Sequence, residues 1–122
     1  MADWRDMATE SRKAASLLVK FGHCRPAVSR CYYAAFARLT HRFIEVGAPI
    51  PDMREGPAHR AVRPLIENNL TGMGSDERRQ LSNLLGRMYV LRIDADYRPS
   101  VSVSPRDARE AQAMMDRVFR IL

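Results

Sequence analysis

The residues best suited to chemistry in this chain cluster in Leu91-Arg92-Ile93-Asp94-Ala95-Asp96-Tyr97-Arg98-Pro99, where two guanidiniums, two carboxylates and a phenol fall within a short run. Arg92 and Asp96 stand four apart, the helical spacing of an ion pair. Two readings stay open for them. In one, Asp96 neutralises Arg92 or bonds a neighbouring helix end; in the other, Arg92 faces a cleft and grips phosphate through its planar fork. Tyr97 reads as a tyrosine at a helix end, half-buried with its hydroxyl bonded. His41 and His59 titrate near neutral pH and are candidate proton carriers. Against that stands the plain alternative of packed or solvated side chains, especially for His41, flanked by Arg38 and Arg42. His23, His41 and His59 lack the short spacings that gather metal ligands, so neither a metal site nor a cofactor is expected. Cys24 and Cys31 match no zinc or redox pair and are expected to be reduced.

Charge suggests what these groups would meet. The chain carries a formal net charge of +6, and Lys13 and Lys20 are its only lysines among 20 basic residues. An arginine-rich surface suits a polyanion or an acidic protein partner. Arginine also replaces lysine through genomic base composition alone, and scattered charges are often just a solvated face. At 122 residues, 46% hydrophobic and 28% charged, residues 1–122 are expected to form one domain. No apolar run approaches the roughly 18 residues of a membrane span, and the first residues lack a signal peptide's apolar region. A cytoplasmic protein is expected.

The elements that must position these groups all read as helices. Trp4, Met7, Ser11, Ala14, Leu18 and Phe21 predict one stripe on a first helix, stopped at Gly22. Pro26 opens a second helix, about residues 25–46, after a connection short enough for an antiparallel hairpin. That helix has one apolar row of Val28, Tyr32, Ala35, Leu39, Phe43 and Val46, and another of Tyr33, Phe36, Ala37, Thr40 and Ile44. Two rows predict burial on two sides, leaving Arg30, Arg38, His41 and Glu45 on a narrow polar stripe. The Tyr32, Tyr33 and Phe36 cluster reads as core rather than a base-stacking platform. Residues 47–57, with Pro49, Pro51, Gly56 and Pro57, predict a loop. A shorter helix follows over about 58–69, strained by Pro64. Ser75 is expected to cap a fourth helix that runs to Pro99, with Asp76 and Glu77 in its first turn. Residues 98–103 look extended, and Ser104-Pro105-Arg106-Asp107 starts a fifth helix with a cap, a first-position proline and an acid three residues on. The fold class is therefore all-α, an antiparallel bundle of four main helices plus a shorter one.

Two segments carry a resemblance. Val28-Ser29-Arg30-Cys31-Tyr32-Tyr33-Ala34-Ala35-Phe36, one hairpin after an amphipathic first helix, resembles the second-helix signature of the HEPN domain. Residues 91–99, followed by Val103-Ser104 and an alanine-rich helix, are similar to the Arg-x-x-Ala-Asp-Tyr segment of one branch of that family. The resemblance spans essentially the whole chain. It implies a helical bundle that commonly forms a homodimer, a minimal nucleotidyltransferase as protein partner in a toxin-antitoxin arrangement, and nucleotide or RNA as ligand. It further implies, in catalytic members, metal-independent ribonuclease action by an arginine followed after a short spacer by a histidine and often a tyrosine. Here Arg92 fills the arginine position and Tyr97 the tyrosine, but Asp96 stands about where the histidine would be. A free aspartate titrates near 3.9 and would repel a phosphodiester with no proton to donate. The candidate catalytic set is thus Arg92, Asp96 and Tyr97, with Tyr97 a possible nucleotidyl acceptor. The candidate nucleotide- or RNA-binding set is Arg92, Arg38, His41 and His59. A non-catalytic helical adaptor is the remaining alternative.

Overall fold

The computed structural model describes residues 3–52 and 54–122. It holds five helices: α1 (Trp4–Lys20), α2 (Cys24–Glu45), α3 (His59–Asn69), α4 (Ser75–Tyr97) and α5 (Pro105–Ile121), with no strand among the described residues. The all-α bundle expected from periodicity is what forms. α2 is its axis, packing against α1, α4 and α5, while the short α3 lies against α4.

Local signals explain the helix ends. Asp3 caps α1 by accepting from the Asp6 amide, and the Asp6 carboxylate returns the bond to the Asp3 amide. Ser104 and Asp107 make the same reciprocal box at α5, as the sequence predicts. The α1–α2 corner turns on Gly22, whose φ of +77° costs a glycine nothing. There the Gly22 and His23 amides donate to the Val19 and Leu18 carbonyls, closing α1 in a Schellman turn. At α4 the expectation shifts by one residue. Gly74 occupies the cap position in extended backbone, Ser75 is already helical, and no side chain caps the end. Segment 98–103 is also less extended than expected, because the Val101 amide donates to the Arg98 carbonyl in a turn. α3 continues through Pro64 although that residue has no N–H to give Arg60.

The core lies between the helices rather than under one sheet of side chains. Phe43 and Leu39 of α2, Leu81, Leu85 and Met88 of α4, Ile66 of α3, and Met115 and Val118 of α5 are fully buried. Each such side chain contributes about 2 kcal/mol by leaving water. α1 differs from its expected stripe. Met7 and Phe21 are exposed, at 44% and 67%, while Ala8 and Ala15 are fully buried, Trp4 meets the Phe36 ring edge-on and Leu18 packs against the core. Alanines let two helix backbones approach closely, so the inward face of α1 is centred on small residues with Trp4 and Leu18 beside them. Tyr33 and Val46 of α2 are likewise exposed ends of otherwise buried rows. Gly56 sits tightly on α2: a Cβ there would lie 2.9 Å from the Phe36 ring.

Candidate functional site

The C-terminal turn of α4 is held by a residue that periodicity did not single out. Arg25, in the first turn of α2, donates from Nη1 to the carbonyls of Asp94, Ala95 and Arg98, and from Nη2 to those of Pro99 and Val101. Asp94 and Ala95 lie in the last turn of α4, where carbonyls begin to run out of helical amide donors, and the other three lie in the turn beyond it. One guanidinium fork thereby fixes where α4 stops and how residues 98–101 turn. The sequence signal for it was faint, since an arginine next to a first-turn proline looks like any surface charge.

Arg92 sits one turn before that end. Its Nε lies 3.1 Å from Asp96 Oδ2, although the buried Nε–H is not aimed along a good hydrogen-bond direction. Its Nη2 donates to the Tyr33 hydroxyl at 2.6 Å and to the Tyr97 hydroxyl at 3.4 Å. The guanidinium carbon stands 5.9, 5.1 and 5.4 Å from the ring centres of Tyr32, Tyr33 and Tyr97, a three-sided aromatic cage within cation–π range. Burial works to lower the Arg92 pKa, but Tyr33, Tyr97 and Asp96 outweigh it and raise the value above the ordinary one. Asp96 is bonded a second time by the Ser29 hydroxyl at 3.0 Å. Ser29 and Tyr33 lie one turn apart on α2, which is why both reach the same face of α4.

A second layer lies beneath. The Tyr32 hydroxyl and His59 Nδ1 are 3.3 Å apart, and the His59 ring stacks on Tyr89 with centroids 3.6 Å apart and planes at 7°. Tyr32 is buried, and loss of hydration pushes its phenol up to about 12, Arg92 offsetting part of the rise. Burial holds the His59 imidazole below its usual value. Tyr32 thus belongs to the core, as its periodicity suggests, yet also floors the Arg92 cage. Tyr97 is the outward group of the corner at 65% exposure, whereas the Arg92 side chain keeps 15%.

The structure therefore brings Arg92, Asp96 and Tyr97 together and sets His59 one layer away. It does not bring Arg38 and His41 to them. Those two lie five and eight residues beyond Tyr33 on α2, and each residue rotates the helix by about 100°. They line a different hollow of about 560 Å³ with Arg5, Arg12, Arg42 and Glu45. There Arg38 and Arg42 both donate to the Leu122 carbonyl, at 2.9 and 3.2 Å.

The corner can offer a phenol and a fixed positive charge to an approaching phosphate. It offers no placed general acid or base of the histidine kind, because Asp96 is committed to Arg92 and Ser29 while His59 faces Tyr32 and Tyr89. Among the described residues no three of His, Cys, Asp and Glu converge as metal ligands, and both cysteines are free. No described helix is long and apolar enough to cross a membrane. Comparison with curated proteins finds no match. The family model for the HEPN domain matches residues 1–122, so the chain belongs to the HEPN family, helical domains with a nucleotide- or RNA-related role.

Proposed function

We propose that this chain is a homodimeric HEPN protein that partners a minimal nucleotidyltransferase in a toxin-antitoxin type system, with Tyr97 as the acceptor of a nucleotidyl group and Arg92 as its phosphate guide. HEPN domains often dimerise, which supports the homodimer. One observation carries the second: the Tyr97 phenol is exposed and only 3.4 Å from Arg92 Nη2, whereas Tyr32 is buried and Tyr33 is turned onto Arg92 by a short bond. In the reaction the Tyr97 oxygen attacks the α-phosphorus of a nucleoside triphosphate brought by the partner. A new P–O bond forms, the bond to pyrophosphate breaks, and the phenolic proton passes to a base of the partner or to water. Arg92 neutralises charge on the phosphoryl oxygens as they crowd in.

The ribonuclease alternative needs a histidine from elsewhere as acid or base beside Arg92, whereas His41 lines another hollow and His59 faces Tyr32 and Tyr89. The adaptor alternative needs no phosphate contact at all. Incubation with a minimal nucleotidyltransferase, magnesium and α-labelled ATP separates the three. Label on the wild type, about tenfold less on Arg92→Lys and none on Tyr97→Phe is the expected result. Undiminished label on Tyr97→Phe sinks the acceptor assignment. Cleavage of total RNA in a chelator, lost in Arg92→Ala, would instead establish the nuclease, and neither label nor cleavage would leave the adaptor.

A further inference from the structure

The hollow between α1, α2 and α5 has a charge imbalance that the corner lacks. Arg5 and Arg12 enter it from α1, and Arg38 and Arg42 from α2, with His41 beside them. Arg12 is matched by Asp116 at 3.0 Å and stacks 4.4 Å over the Phe119 ring. Glu45 is shared between Arg42 at 3.5 Å and His41 at 3.7 Å. Asp3 lies near enough for His41 to influence it, but its carboxylate is committed to the α1 cap. Four guanidiniums thus face Glu45 and Asp116, and Arg38 Nη1 is buried with no acceptor at all. Burial first, then the neighbouring charges of Arg42 and Arg5, depress the Arg38 pKa, with Glu45 offsetting part of this.

Placement of the groups already resembles an anion clamp. Arg38 and Arg42 aim their Nη2 atoms at one oxygen, that of Leu122, and leave the exposed Arg5 on the open side. Phe119 supplies an apolar wall. Spread over two adjacent helices, the arginines can meet several oxygens of a tetrahedral group at once, which a single surface arginine cannot do.

We infer that the hollow lined by Arg5, Arg38 and Arg42 is a phosphoryl-binding site separate from the Arg92 corner, taking the phosphate of an RNA backbone or of a free nucleotide. It does not rest on the nucleotidyl-acceptor reading, and its test leaves that reading untouched. Binding of a short fluorescein-labelled single-stranded RNA to the full chain is measured by anisotropy across a salt series. Arg5→Gln and Arg38→Gln are each expected to weaken it about tenfold and to lower the salt slope by about 0.7. Arg109→Gln, an exposed α5 arginine outside the hollow, is expected to change it less than twofold. Inorganic pyrophosphate and AMP then compete: displacement of the RNA identifies a pocket for free phosphates, and retention identifies one for backbone. Equal losses in all three glutamine variants would overturn the site, as would retention in both Arg5→Gln and Arg38→Gln, or no binding at low salt. Should Arg38→Gln fail to fold, Arg5→Gln decides alone, because that side chain lies on the surface.

Discussion

Arg92 and Arg38 are the same residue on adjacent, packed helices, and their surroundings treat them in opposite ways. Arg92 is enclosed by three tyrosine rings, two phenolic oxygens and a carboxylate, and its pKa is raised. Arg38 is partly covered beside two other arginines, keeps one buried N–H without an acceptor, and its pKa is lowered. A charge already answered by its neighbours serves to build a site and orient what stands next to it, here the Tyr97 hydroxyl. A charge only partly answered is the readier to receive an anion. Residue type alone could not separate the two, and both sit among ordinary helical contacts.

The largest way to test that contrast is to remove the arginine most fully answered. Arg25→Met strips five carbonyls of their shared donor while keeping an apolar stem of similar length. Bonds to a charged donor are individually worth about 1.5–3 kcal/mol, and water can replace some of these. The expected net loss is about 3 kcal/mol, a fall in Tm of roughly 10 °C by thermal melting. Arg38→Met is expected to cost less than about 1 kcal/mol, because it also relieves a desolvated, crowded charge and leaves Arg42 on the Leu122 carbonyl. If both variants lose stability equally in urea titrations, the hollow is structural and the contrast fails.

How much of this was legible beforehand follows the same division. Helix identity, the Ser104–Asp107 box, the Gly22 stop and the inner rows of α2 rest on local periodicity and capping, which a single chain displays. Arg92, Asp96 and Tyr97 were legible as a group because four- and five-residue spacings survive folding unchanged. Arg25 was not, since its acceptors are backbone atoms about seventy positions away and leave no side-chain pattern. The face of α1 was misjudged because bulky apolar residues were given precedence, whereas close helix approach favours Ala8 and Ala15. Grouping Arg38 and His41 with Arg92 failed to foresee helix rotation, which sends residues on one helix to different neighbours.

The smallest effect probes the layer beneath Arg92. Burial keeps the folded-state pKa of His59 below the value near 6.5 of an unfolded chain. As pH falls, the unfolded chain therefore takes up the proton first, and protonation favours unfolding. The contribution of neutral His59, whose Nδ1 faces the Tyr32 hydroxyl, is fully present above about pH 6.5 and is lost as pH falls through the folded value. Comparing Tm for the wild type and His59→Phe isolates this step, because His23 and His41 remain in both. The advantage of the wild type should be constant from about pH 8 to 6.5 and shrink below it. Since His59 is only half-buried, the change should be a few degrees at most. A difference curve flat down to pH 5 would mean that the Tyr32–His59 contact is not linked to folding, and the floor of the Arg92 cage would then rest on ring packing alone.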